Sequence, residues 1–258
     1  MTKLAANLSM MFNEVNFLDR FEAAANAGFK GVEYLFPYEF PAEQIKEKLD
    51  KHDLTQVLFD FPAGNWADGD RGCAVFPDRV GEFQDGVGTA VEYADVLRCE
   101  RLTILAGKAT SGVSALKMQE TLIDNMKFAS KAVAGTDITV RLEAINTIDI
   151  PGYSVFQTNQ SRAAVEATGA DNVKVQYDIY HMQIMEGDVT RVIEANLDVI
   201  GHFQLADNPG RHEPGTGEIN YDFLLKHIDS IGYDGWVGCE YAPAGDTVAG
   251  LGWATKYL

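Results

Sequence analysis

Short apolar runs rich in β-branched residues alternate along this chain with longer stretches in which apolar residues recur at helical spacing. The short runs predict strands at Leu4–Leu8, Gly31–Phe36, Leu54–Phe61, Arg101–Ala106, Ile138–Ile145, Val173–Asp178, Gly201–Ala206 and Gly235–Tyr241. The longer stretches predict helices near Phe17–Ala27, Ala42–His52, Arg79–Arg98, Ser114–Ala134, Gln160–Thr168, Asp188–Leu197 and Tyr221–Ile231, with a helical piece after Asp246. In the first helix Phe17, Leu18, Phe21, Ala24 and Ala25 share one face, Asp19, Arg20, Glu22 and Asn26 can meet water, and Gly28 supplies a stop.

Strands alternating with helices in this way make βα units, whose parallel sheet is covered by helices. Eight units in 258 residues give about 32 residues each, which predicts an α/β fold of one domain spanning residues 1–258, a (β/α)8 TIM barrel. No Pro, Gly or Ser-rich linker divides the chain. A doubly wound open sheet is the weaker alternative, because the first strand runs into Ser9-Met10-Met11-Phe12 rather than a GxGxxG turn. Long connections at 62–78, 146–159 and 207–220 each follow a strand, where barrel enzymes build their sites.

Charge and cysteine content narrow the function. Thirty-eight acidic against 21 basic residues leave a net charge of −17, and no Lys/Arg cluster offsets it, so a nucleic acid partner is not expected. Cys73, Cys99 and Cys239 are odd in number and far apart, fitting neither a disulfide framework nor CxxC zinc spacing, which points to a reducing cytoplasm. Met1–Phe12 lacks a secretory h-region, and no run is long and apolar enough for a membrane span. Oligomeric state stays open, a homo-oligomer included.

Three of the last four predicted strands carry a carboxylate near their C-terminal end: Glu143 in VRLEAI, Asp178 in VQYDIY and Glu240 in VGCEY. The remaining one, HFQLAD, carries Gln204. In a parallel barrel these ends meet at one mouth, and carboxylates crowded there repel one another unless a cation intervenes. Oxygen donors without a thiolate favour a hard divalent ion, Mg2+ or Mn2+, with Zn2+ or Co2+ as alternatives.

The segments AANLSMMF, GFKGVEYLFPYEF, VRLEAIN, QYDIYHMQ, HFQLADNPGRHEPGTGEINY and GWVGCEYAPAG followed by GLGW closely resemble the hydroxypyruvate isomerase family, one of the xylose-isomerase-like barrels, over essentially the whole chain. The resemblance implies a divalent metal held by Glu143, Asp178, Gln204 and Glu240, with Glu143 and Glu240 also the acid/base pair. Related sugar epimerases commonly have histidine where Gln204 stands; loss of that nitrogen ligand favours Mg2+. The resemblance also implies that His181 contacts a substrate oxygen.

Isomerising an α-hydroxy carbonyl through an enediolate requires a positioned base and positive charge at the developing oxyanion. Arg211, in the loop after the seventh strand, could hold a substrate carboxylate by two parallel bonds. Glu33 and Lys108 are further candidates for substrate contact at the mouth. Phe36, Tyr38, Trp66 and Trp253 are candidates to cover it, while His212, Glu213 and Glu218 are expected to order the Arg211 loop. The expected reaction is hydroxypyruvate to tartronate semialdehyde. A 2-oxo-tetronate isomerase and a ketose 3-epimerase are the alternatives in the same chemistry, and an endonuclease-IV-like DNA hydrolase or a polyol dehydratase those outside it.

Overall fold

Nearly every strand position is buried on both faces, as continuous apolar runs require of a parallel sheet filled inside and covered outside. The computed structural model describes residues 2–258. Its elements run β1 (Lys3–Asn7), α1 (Phe17–Asn26), β2 (Gly31–Glu33), α2 (Ala42–His52), β3 (Thr55–Asp60), α3 (Val80–Leu97), β4 (Arg101–Ile104), α4 (Ala115–Ala132), β5 (Thr139–Glu143), α5 (Thr158–Thr168), β6 (Val173–Asp178), α6 (Ile179–Met185), α7 (Val189–Asn196), β7 (Ile200–Leu205), α8 (Tyr221–Ser230) and β8 (Trp236–Cys239). All neighbouring strands pair in parallel, and β8 returns to β1 with Lys3 opposite Trp236, so the sheet closes into the expected (β/α)8 barrel.

Helix starts follow local chemistry. Ser114 Oγ accepts the amide proton of Lys117 at the head of α4, and Asn220 Oδ1 accepts that of Phe223 at the head of α8. Helix α5 begins at Thr158, two residues ahead of the predicted start, because Gln160 Oε1 folds back to accept from the Phe156 and Gln157 amides. Helix α6 has no counterpart among the predicted helices. Its seven residues are too few to display a period, and its start is fixed by Asp178, which ends β6 and caps α6 by accepting from Tyr180 N at 2.8 Å.

The barrel interior is apolar at its floor, where Ala5, Val57 and Leu58 pack with Trp236. Above that it holds a continuous polar network. Thr103 donates to Gln176, Gln176 Nε2 to Gln204 Oε1, and Gln204 Nε2 to Glu33 Oε1, which also accepts from Asn7. Glu33 fits there only because residue 238 is glycine: a Cβ at Gly238 would fall 2.2 Å from Glu33 Oε1. The three cysteines are buried free thiols. Among the described residues no helix is long and apolar enough to cross a membrane.

Candidate active site

Parallel register brings the chemistry-bearing strand ends together. Glu143 ends β5 opposite Gln176, Asp178 ends β6 opposite Gln204, and Glu240 follows β8 directly. Glu143, Asp178 and His181 each offer a ligand atom, all within 4.8 Å of one another. Glu143 Oε1 and Asp178 Oδ2 are buried with no hydrogen-bond partner among the described residues. Glu143, Glu240 and His181 line a cavity of about 670 Å³ at the C-terminal mouth, together with Asp60 at the end of β3.

Burial raises the Glu143 carboxyl well above its usual range, and the charges of Glu240, Asp178 and Asp60 push it further. Glu240 is raised to about 8 by burial, with Arg211 opposing and Asp178 adding to the rise. Asp178 rises for the same first reason against the pull of Arg211 and the Tyr180 N–H, while burial and then Glu240 lift Asp60 well above a normal aspartate. Carboxyls gathered in one desolvated cavity cannot all ionise unless positive charge joins them. The unpartnered oxygens of Glu143 and Asp178 are hard donors aimed at such a charge, so the residues fit a divalent cation.

Arg211 is the cation nearest to them. Its Nη2 donates to Glu240 Oε2 at 3.2 Å and lies 3.9 Å from Asp178 Oδ2, and its guanidinium lies over the Tyr180 ring. Burial lowers its pKa, but the surrounding carboxylates more than offset this and hold it above the ordinary arginine value. The backbone of Arg211 is left-handed, φ 54°, in a loop wound around one buried carboxylate. Asp207, 0% exposed, accepts from the amides of Asn208, Gly215, Gly217 and Ile219 at 2.8–3.0 Å. Gly217 is required by this winding, since a Cβ there would stand 2.1 Å from the Asn208 carbonyl. His212, Glu213 and Glu218 bond to Ala242 O, Ala244 N and the Asn208 amide, and so order the loop as expected.

His181 sits on the first turn of α6, and its tautomer follows from Asn146. Asn146 Oδ1 accepts from the Ile148 and Asp149 amides, which fixes its Nδ2 as the group 2.7 Å from His181 Nδ1. Nδ1 therefore accepts, and Nε2 carries the proton. Burial, then Arg211, pushes the ring's pKa well below 6.5, so it is neutral. His181 thus presents an N–H donor beside Asp178 Oδ2 (3.6 Å) and Glu143 Oε1 (3.9 Å) rather than a lone pair, and Arg211 Nη2, 3.5 Å from the same nitrogen, is then a neighbouring donor and not its hydrogen-bond partner. Proximity alone makes it look like a third metal ligand; the tautomer argues against that role.

Of three further predicted site residues, Gln204 lies at the expected strand end, and Glu33 and Lys108 lie outside the cavity lining. Gln204 is in register with Asp178, its Nε2 donates to Glu33, and its Oε1 accepts one hydrogen bond from Gln176, which leaves that oxygen a second lone pair. Glu33 does not reach the cavity: it is 0% exposed, and its second oxygen is 2.8 Å from His202 Nε2. The gap at Gly238 lets this carboxylate stay inside the cylinder, where it anchors the network. Lys108 pairs its backbone with Tyr153, and its ammonium lies beside Gly69 on the rim, outside the cavity lining. Phe36, Tyr38 and Trp66 line the cavity, whereas Trp253 packs against Tyr241 away from it.

Sequence reasoning missed Asp60 and Asn146. Asp60 ends an apolar run, TQVLFD, in the manner of Glu143 and Asp178, so a signal for it was present. Asn146 acts through loop geometry that no periodicity reports.

Residues 21–257 match the xylose isomerase-like TIM barrel family. The chain is 47% identical to the hydroxypyruvate isomerase of Escherichia coli K12 over all of both chains, and 46% identical to a 2-oxo-tetronate isomerase of Cupriavidus necator over 100% of this chain and 99% of that one. A Brucella melitensis structure named AP endonuclease, family 2, is 47% identical and superposes with a TM-score of 0.98 over 100% of this chain and 99% of that one. A D-psicose 3-epimerase from Clostridium cellulolyticum, 18% identical with a TM-score of 0.75 over 96% of this chain and 88% of its own, shares the fold.

Proposed function

The chain belongs to the xylose isomerase-like TIM barrel family and is an isomerase of small hydroxy-keto acids, and from that premise we propose that it is metal-dependent and interconverts hydroxypyruvate and tartronate semialdehyde. The observation that carries this reading is the pair of unpartnered, buried carboxylate oxygens on Glu143 and Asp178, beside Glu240, at the mouth of the barrel. Glu143, Asp178, Gln204 and Glu240 would hold the ion, with Mg2+ favoured by an all-oxygen donor set and Mn2+, Co2+ or Zn2+ as alternatives. When bound, the ion supplies the positive charge that lets these carboxyls ionise and polarises the substrate carbonyl.

The protein's own residues account for the proton movements. One of Glu143 and Glu240 takes the proton from the hydroxymethyl carbon, giving an enediolate, and a proton returns to the neighbouring carbon while the oxygens exchange theirs. Glu143 and Glu240, on two strand ends of one cavity, can take and return the proton, because the ion that lets them ionise lowers the raised values they have without it. His181 donates its Nε2–H to the oxygen on which charge develops, and neutrality suits it, because a neutral donor does not simply protonate the enediolate. Arg211 holds Glu240 in place and adds positive charge at the same side of the cavity.

The preferred acid is the finer question. A four-carbon 2-oxo-tetronate undergoes the same chemistry, and the 46% identity to a 2-oxo-tetronate isomerase supports it as the second reading. DNA hydrolysis is disfavoured by the −17 charge and by the histidines: of five, His181 alone lines the cavity among the described residues. The test is a panel of three- and four-carbon hydroxy-keto acids against chelator-treated and metal-reconstituted enzyme. We expect turnover that disappears with the metal and returns with Mg2+; full activity in the chelated enzyme removes the metal-dependent mechanism.

A further inference from the structure

The cavity that would receive a keto acid is strongly acidic, lined by Glu39, Asp60, Asp149, Glu143 and Glu240. An anionic substrate entering it needs a cation for the end of the molecule that does not react. Three guanidinium groups line this cavity, those of Arg20, Arg71 and Arg211, and their hydrogen bonds set them apart. Arg211 is committed to Glu240 through Nη2, and its Nε is a buried donor with no partner among the described residues. Arg20 spends Nε on Val15 O and Nη1 on Leu8 O, so neither of its two-nitrogen edges is free. Arg71 spends only Nη1, on the carbonyls of Trp66 and Asp70. Its Nε–Nη2 edge faces no acceptor and no carboxylate partner among the described residues, and that edge is the fork that takes a carboxylate by two parallel bonds.

The same loop supplies an aromatic support for this fork. The guanidinium carbon of Arg71 lies 4.1 Å from the centre of the Trp66 ring, and Trp66 itself is set edge-on against Phe36 at 5.0 Å. The neighbouring Asp70, the acid that would otherwise compete for Arg71, is turned away to accept from Arg79 Nη2 and Asn65 N, both at 2.8 Å. An arginine held 4.1 Å over an indole, relieved of its adjacent acid and left with one open fork on the wall of an acidic cavity, is a built anion site.

We propose that Arg71, stacked on Trp66, binds the substrate carboxylate and selects keto acids over neutral hydroxy ketones, the role expected of Arg211. This rests on the hydroxy-keto acid reading. The test compares wild type, Arg71→Met and Arg71→Lys on hydroxypyruvate and on dihydroxyacetone, in which CH2OH replaces the carboxylate, reading solvent deuterium exchange by NMR. Binding of the non-reacting acid D-glycerate is measured alongside by tryptophan fluorescence, and melting curves check the fold of each variant.

Loss of a charged two-point contact raises KM for hydroxypyruvate and Kd for glycerate by about 10- to 150-fold in Arg71→Met, with kcat little changed. Exchange on dihydroxyacetone stays within about two-fold of wild type, and Arg71→Lys, which keeps the charge but not the fork, falls between. Unchanged glycerate binding in a folded Arg71→Met enzyme overturns the assignment, as does an equal loss on both substrates, which would make Arg71 only a prop for its loop. Should Arg71→Met not fold, wild-type hydroxypyruvate KM in Arg71→Lys overturns it equally. A wild-type enzyme that neither turns over hydroxy-keto acids nor binds glycerate removes the functional reading and this assignment together; an active wild type with an unaffected Arg71→Met removes this assignment alone.

Discussion

Replacing Asp207 by asparagine changes one atom and should loosen the whole loop that presents Arg211. In the native protein each Asp207 oxygen accepts two backbone N–H groups, Oδ1 those of Asn208 and Ile219 and Oδ2 those of Gly215 and Gly217, in a site with no solvent access. Asparagine keeps one oxygen. Whichever way its amide turns, its NH2 faces two of those four N–H groups, so two bonds are replaced by donor–donor contacts. A hydrogen bond to a charged group contributes about 1.5–3 kcal/mol, and a buried donor left unmade costs about 1–3 kcal/mol. Two such losses, partly offset by water entering the loosened loop, put the destabilisation at about 2–4 kcal/mol. For a chain of this size that lowers Tm by about 4–16 °C. Because Arg211 hangs from the same loop, its backbone N–H donating to the Asp207 carbonyl oxygen at 2.9 Å, kcat/KM should fall by about 10- to 100-fold as well. Urea unfolding followed by circular dichroism, with steady-state kinetics on the same preparations, measures both. An Asp207→Asn protein within about 0.5 kcal/mol of wild type and equally active would refute the view that this carboxylate organises the loop.

Two further outcomes follow from the site. Glu143→Gln and Glu240→Gln should each abolish solvent deuterium incorporation at the substrate carbon; a variant that exchanges at the wild-type rate is not the base, and metal content is assayed in parallel because both residues are proposed ligands. In metal-free protein, Glu240 near 8 and the strongly raised Glu143 and Asp60 lie above their unfolded values of about 4, so the stability they contribute is complete below pH 4 and is lost as pH rises through the folded values. Tm of the chelated protein should therefore fall between pH 7.5 and 9, a window in which His181 and His202, both lowered in the fold, are neutral there and largely so when unfolded, and adding Mg2+ should flatten the slope; a chelated Tm that climbs through this window contradicts the assigned shifts.

The alternation of apolar runs and amphipathic stretches is a local property, and it was enough for the (β/α)8 barrel, because eight regular βα units leave few other ways to bury eight two-faced strands. Strand ends also announced Glu143, Asp178 and Glu240, since a carboxylate closing an apolar run in a parallel barrel lands at the mouth. The sequence could not tell Glu33 from Glu143. Both end apolar runs, and only the closed cylinder, with its gap at Gly238, draws one inward to Asn7, Gln204 and His202 and leaves the other facing the cavity. Nor could it see that Asn146 sets the His181 tautomer, or that Arg211 is taken by Glu240 while Arg71 keeps an open fork. Hydrogen-bond partners separated by tens of residues along the chain are decided by where folded loops meet, and nothing in the local order of residues records that meeting.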